Sequence, residues 1–287
     1  MSFDVRAHLA GEAGASEIDD KTAAALAAAA YKDFATPFPP GWDLLFEQTD
    51  DPGGYDGRAL HHPASKTLIL ANRGTEFTSF RDWEENFGAA IFGHAGTQIP
   101  AACKLLADAL HRMEVDGLAV EEVLFVGHSL GGALAEAQAR LCLSYLPERL
   151  KTHARAVGVA SAGFGAAIVP FAQKYQLTLH PSPESIVTHY VRKQDVVPHH
   201  PGRVSLGREV GMASLYHAMR YQPYKSPGWE YKRDCDLLAN HSIGTHLQFW
   251  GDGDDCFIWC KGDDFTMRPG AAPRWSHGMR EPKLADL

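Results

Sequence analysis

Hydrophobic and polar positions change their period several times along this chain. Residues 19 to 34 begin with two aspartates and continue into an alanine run, which predicts a helix stopped by the prolines of "TPFPPG". The run reads as a surface helix. "WDLLFEQ" (42 to 48), Arg58 to His61 and "KTLILANRG" (66 to 74) read as strands, with "TDDPGGYDG" as the turn between the first two. Phe77, Phe80, Trp83, Phe87 and Ile91 recur at spacings of three and four, with Arg81, Asp82, Glu84 and Glu85 between them. That is an amphipathic helical pattern, and a second helix is expected over 99 to 114. A strand over 121 to 127 leads into a helix over about 130 to 146, which Pro147 ends. Another strand (154 to 162), a helix-like stretch (168 to 176) and a strand running into Asp195 follow.

The opening strands predict a short antiparallel run. From residue 123 onward strands alternate with helices, which predicts an α/β fold with parallel pairing. Active residues of such sheets lie beyond the carboxyl ends of the strands. Thr75, Ser129 and Asp195 all stand at such ends. No internal repeat or linker divides the chain, so one domain over 1–287 is expected, with its core at about 20–250. The stretch 251–287, rich in Gly, Asp and Pro, reads as a C-terminal extension. Its "GDGDD" lacks the spacing and closing Glu of a calcium loop.

Bulk numbers narrow the function classes. The 287 residues are 45% hydrophobic and 22% charged, which suits a globular domain with a substantial core. A net charge of -8 argues against nucleic acid as a partner and gives no general attraction to anionic membranes. A local apolar patch still allows transient contact with a lipid interface. The N-terminus lacks the basic region and apolar core of a secretory signal, and no stretch is apolar enough to form a transmembrane segment. The expected location is therefore cytoplasmic, or outside after export by a route without a Sec signal. Five cysteines and no CxxC pair suggest reduced, structural thiols. Cys256 and Cys260 are close enough in sequence to raise a disulfide or metal reading, but a zinc site needs two further ligands.

The candidate chemistry centres on "VLFVGHSLGG". An apolar strand runs into Gly127-His128-Ser129-Leu130-Gly131 and then into a helix of small residues. This G-x-S-x-G pattern in a strand–turn–helix context is a nucleophile elbow, and the helix start offers N–H groups to an oxyanion. The alternative is a tight turn whose glycines serve packing alone. An elbow serine needs a base and a group to orient it, in the chain order Ser, acid, His. Asp195 in "VRKQDVVPHHP" fits the acid, its alternative being a turn-forming or capping aspartate. Of the 15 histidines, His199 and His200 lie too close to Asp195, and His217 falls inside a predicted element. His241 in "ANHSIGTH" is the candidate base, with His246 as alternative and a capping or surface role as the competing reading.

Several segments together resemble the class 3 lipases, the fungal-type family of α/β-hydrolases. "LILANRGTEFTSFRDWEENF" resembles the family's strand, R-G-[ST] loop and D-W-containing lid. "VLFVGHSLGGALAEAQA" resembles its nucleophile motif, and "YVRKQDVVPHHP" its D-x-V-P motif. "ASAGFG" departs from the family by lacking the usual loop proline, and "HSIGTH" is a variant around the presumed base. The resemblance implies an α/β-hydrolase fold: a mixed, mostly parallel sheet flanked by helices, with a short lid helix at about 76–92. It implies a serine carboxylic ester hydrolase acting on lipid esters, with Ser129, Asp195 and His241 as the catalytic triad and no cofactor or metal. Backbone N–H groups of Thr75 and Leu130 would form the oxyanion hole, and Phe77 and Phe80 would face substrate from the lid. A phospholipase A1-type enzyme, an exported antibacterial lipase effector and a non-catalytic binding module on the same fold are the alternatives.

Overall fold

In the computed structural model, the described residues are 4–31, 38–49, 54–74, 80–163, 165–192, 195, 197, 207–212, 243, 247, 250, 256–259 and 265–267. Side chains are described for these except at 80–97, 165–167, 192, 211, 212, 256–259 and 265–267. Among the described residues nine strands form one sheet whose spatial order follows the sequence. Strands β1 (Asp43–Gln48), β2 (Gly57–His62) and β3 (Thr67–Asn72) pair antiparallel. The centre is parallel: β3, β4 (Glu122–His128), β5 (Ala154–Val159), β6 (Val187–Arg192) and β7 (Arg208–Met212). Two short antiparallel strands, β8 (Cys256–Trp259) and β9 (Phe265–Met267), complete the far edge.

The central strands are buried on both faces, and alternate residues feed two separate cores. Leu68, Leu70, Val123 and Phe125 face one cluster, which α3 (Phe80–Val115) and α4 (Leu130–Tyr145) complete, together with α5 (Gly165–Lys174). Ile69, Ala71, Leu124, Val126, Val157 and Val159 face the other, which α1 (Val5–Gly11) and α2 (Asp20–Ala29) cover. Crossover helices thus supply one face and the N-terminal helices the other.

The sequence reading changes at two helices. The alanine run is not a surface helix: Ala23, Ala24, Ala25, Leu26, Ala27 and Ala29 are fully buried. Small side chains let α2 lie close on β4 and β5 while α1 packs against it from outside. Asp19 caps α2, its Oδ1 accepting from Thr22 N–H at 2.7 Å. The expected short lid helix and the helix after it are one continuous 36-residue helix, α3, which runs through Pro100. A proline reads as a start or a break because it lacks the N–H donor. Here the buried face Ile99, Ala102, Cys103, Leu106 and Leu110 anchors the turns that follow Pro100. Phe80 opens this helix, and Phe77 lies outside the described residues. No helix among the described residues is long and apolar enough to cross a membrane.

Candidate active site

Strand β4 delivers Ser129 to the carboxyl edge of the sheet. The serine takes φ 57 and ψ -122 as the residue before α4, a backbone region that non-glycine residues avoid. Hydrogen bonds hold it there from several sides. Its N–H donates to Val159 O at the end of β5 (3.0 Å), and its carbonyl accepts from Gly132 N (3.1 Å), Ala133 N (3.3 Å) and Ala162 N (3.1 Å). The flanking glycines are required by contact. A Cβ on Gly127 would stand 2.0 Å from Gly131 O, and one on Gly131 would stand 2.2 Å from Asn72 O. The elbow is therefore wedged between the ends of β3 and β5.

The Ser129 hydroxyl is 1% exposed and its Oγ has no hydrogen-bond partner among the described residues. An orphaned buried hydroxyl is rare in a settled core and common where chemistry is waiting. Leu130 opens α4 and lies at the positive end of its dipole, ahead of Gly132 and Ala133, whose N–H groups are taken by Ser129 O.

Asp195 follows β6 and is fully buried, with Oδ1 accepting from Val197 N–H at 3.0 Å. That bond is the turn-forming role weighed for this aspartate, and it also fixes the carboxylate. β5 lies between β4 and β6. The exits of β4 and β6 are therefore two strand spacings apart, about 10 Å. That gap suits an imidazole between serine and carboxylate. His241 and His246 lie outside the described residues. Close to them, Ile243 and Leu247 are helical, Leu247 is buried in the second core, and the Trp250 ring packs on Tyr190 of β6 at 4.4 Å.

Thr75 also lies outside the described residues, but its neighbour Gly74 is placed. A Cβ on Gly74 would meet His128 O at 2.5 Å, Tyr31 Oη at 2.9 Å and Ser129 Cβ at 3.2 Å. The chain leaving β3 thus passes directly beside Ser129 at Gly74. Two buried polar assemblies hold its base. Arg73 donates its backbone N–H to Asp56 O at 3.0 Å and pairs its guanidinium with the Asp56 carboxylate. Asn72 accepts from Tyr55 Oη (2.8 Å) and donates to Gln138 Oε1 (2.7 Å), while Gln138 donates to Ala102 O (2.8 Å). This chain of amides joins β3, α4 and α3 beneath the elbow.

Sequence reasoning missed Tyr31, Asp56, Asn72 and Gln138. The only signal was polar residues set in apolar runs, as in "LILAN" and "AEAQA". Among the described residues no group of His, Cys, Asp and Glu is arranged to hold a metal ion.

Sheet and elbow together have the arrangement of an α/β-hydrolase fold. Residues 69–205, from β3 past Asp195, match the family model "Lipase (class 3)". Solved structures agree on the fold. A triacylglycerol lipase with a serine protease triad is 18% identical, with TM-score 0.50 over 69% of this chain and 81% of that one. The Lip2 lipase of Yarrowia lipolytica is 16% identical, with TM-score 0.50 over 79% and 91%. No curated protein matches the chain.

Proposed function

We propose that the chain hydrolyses lipid esters of the triacylglycerol type through Ser129, Asp195 and His241. One observation carries the reading: a serine in strained backbone geometry between obligatory glycines, its hydroxyl buried and without a hydrogen-bond partner among the described residues. The family match and the burial of Asp195 two strands away support it. Ile243 and Leu247, helical and packed on the second core, and Trp250 on Tyr190 of β6 support His241 as the base.

The steps follow from these roles. His241 takes the proton from Ser129 Oγ as that oxygen attacks the ester carbonyl carbon. The carbonyl oxygen becomes an oxyanion held by the N–H groups of Thr75 and Leu130. Asp195 orients the imidazole and stabilises its charged form. His241 passes the proton to the departing alkoxide, leaving an acyl-serine. Water, deprotonated by His241, attacks that acyl group, and the proton returns to Ser129 as the acid leaves.

A hydroxyl 1% exposed does not meet an emulsion droplet in this conformation. The reading therefore includes a lid at 76–92, made of the N-terminal turns of α3 and the residues before them, that opens at a transient lipid interface, with Phe77 and Phe80 turned to the acyl chain. The test is turnover of p-nitrophenyl esters from butyrate to palmitate, a triacylglycerol emulsion and a phospholipid, by wild type and Ser129→Ala. Loss of about 10⁴-fold on substitution, with triacylglycerol preferred, is expected. Equal rates for both proteins refute the proposal, and a preference for phospholipid replaces the substrate class.

A further inference from the structure

Behind the elbow lies a buried ionisable pair that the chemistry above does not use. His189 of β6 and Glu136 of α4 are 0% and 1% exposed at their side chains, with Nε2 and Oε2 3.2 Å apart. Ala133, Ala137, Ala156 and Val187 belong to the core on this face of the sheet, and Glu136 also faces Arg140, one turn further along α4, which Glu184 faces as well. Such a pair brings little net stability, because desolvating two ionisable groups offsets their attraction. A buried polar contact of this kind is better suited to fixing one arrangement among several that apolar packing would tolerate.

The geometry shows which arrangement is fixed. α4 rests mainly on β4 and β5 and barely meets β6. His189 stands in register with Gly158 of β5 and leans across it: a Cβ on Gly158 would fall 2.5 Å from His189 Nδ1. Because Gly158 has no side chain, the imidazole crosses a whole strand and touches the helix beyond. Glu136 lies seven residues after Ser129, two helical turns along the same face of α4. His189 lies six residues before Asp195. One contact therefore ties the helix that starts at the serine to the strand that ends at the aspartate.

We infer that His189 and Glu136 are positioning residues that set the separation of Ser129 from Asp195. The inference rests on the triad proposed above. Hydrolysis is sensitive to such spacing, since a misplacement of about 1 Å costs up to roughly 100-fold in rate. Apolar side chains of similar size would fill the volume without tying α4 to β6.

The test compares wild type, Glu136→Gln, and the double variant Glu136→Leu/His189→Leu. Melting temperature, kcat, KM and the rate of Ser129 labelling by a phosphonate ester are read for each. Glu136→Gln keeps the shape of the contact and is expected to hold kcat within about twofold. The leucine pair is expected to melt no lower than wild type. Its kcat and labelling rate should fall about tenfold, with KM unchanged. Should the leucine pair not fold, His189→Asn, whose amide ends one atom short of Glu136, takes its place with the same expectation for kcat and labelling. Full kcat in the contact-free variant overturns the inference, as does a kcat loss that only tracks melting temperature. So does a tenfold loss in Glu136→Gln, which would assign the effect to charge. Failure of the triad reading shows separately, as wild-type turnover that survives Ser129→Ala.

Discussion

Tyr31 Oη lies 2.7 Å from His128 Nδ1, joining the end of the α2 segment to the residue directly before Ser129. The two rings are tilted at 55° with centroids 6.0 Å apart. The phenol oxygen also borders Gly74, so one hydroxyl touches the elbow and the end of the stretch that leaves β3. Tyr31→Phe removes that hydroxyl and nothing else. The expected loss is about 1 kcal/mol of stability from the hydrogen bond. A fall in kcat of roughly fivefold with unchanged KM is also expected, because the loop beside Ser129 loses its lateral support. Denaturant midpoints and steady-state kinetics on a soluble ester check both. A variant with wild-type kcat would show that Tyr31 only fills space.

The glycines of the elbow and those of the periphery should respond oppositely to alanine. At Gly127 the new methyl would overlap backbone atoms of Gly131 and Gly132, which cannot swing aside. Gly127→Ala is expected to lose at least about 3 kcal/mol, or to fail to accumulate as soluble protein. At Gly11, the last residue of α1, a Cβ meets nothing within 4 Å. Gly11→Ala is expected to be neutral or to gain about 0.5 kcal/mol, because alanine restricts the unfolded chain more than glycine does. Thermal melts of the two variants beside wild type decide the matter.

Stability should fall as acid is added from neutral pH. His62 is fully buried, shares a hydrogen bond with Ala13 O (3.1 Å) and packs on Trp42 at 4.3 Å. Burial lowers its pKa below the ordinary 6.5, and burial does the same to His8. The folded state then holds both rings neutral, while the unfolded chain takes up protons near pH 6.5. The unfolded state binds more protons in that window, so stability present above 6.5 is lost as pH drops below it. Urea midpoints at pH 7.5, 6.5 and 5.5 should decline in that order. His62→Gln, which keeps a donor for Ala13 O, should flatten the decline. A pH-independent midpoint in the wild type contradicts the assignment.

Cys103 and Cys142 should be inert in the native protein. Both are buried, and burial pushes each thiol up to about 11. At pH 8 almost no thiolate is present at either, and the thiolate is the nucleophile. Iodoacetamide followed by peptide mass spectrometry should find both unmodified after native treatment and both alkylated after unfolding. Native alkylation of Cys142 would mean that α4 opens locally far more often than its burial implies.

Legibility in the sequence followed burial pattern. β3, β4 and α4 were readable because unbroken apolar runs meet glycines and then a small-residue helix, a pattern with few competing structures. Helix α1 was missed because only Leu9 in it is buried, which leaves no periodic signal. β8 and β9, four and three residues long, are too short to show a period. The interior position of α2 was misread because alanine suits both surface and core, and only the neighbouring elements decide. The candidate nucleophile and acid stood out through local motifs. Tyr31 could not, since its partner His128 lies 97 residues away and no local pattern connects them. The pair Glu136 and His189 was hidden for the same reason, as was the amide chain through Asn72 and Gln138.

The sheet's strict sequence order has a consequence for how the molecule assembles. Crossover helices occupy one face as the strands accumulate, but the opposite face waits for α2. Its Asp20 meets Arg155 at 2.9 Å across 135 residues and Tyr190 Oη at 2.6 Å across 170. A helix made before the sheet must therefore hold its apolar alanines in reserve until β5 and β6 exist to receive them. Contacts of that span are slow to form. During synthesis, the bare back of the half-built sheet is the surface that a chaperone, or a second unfinished chain, would meet first.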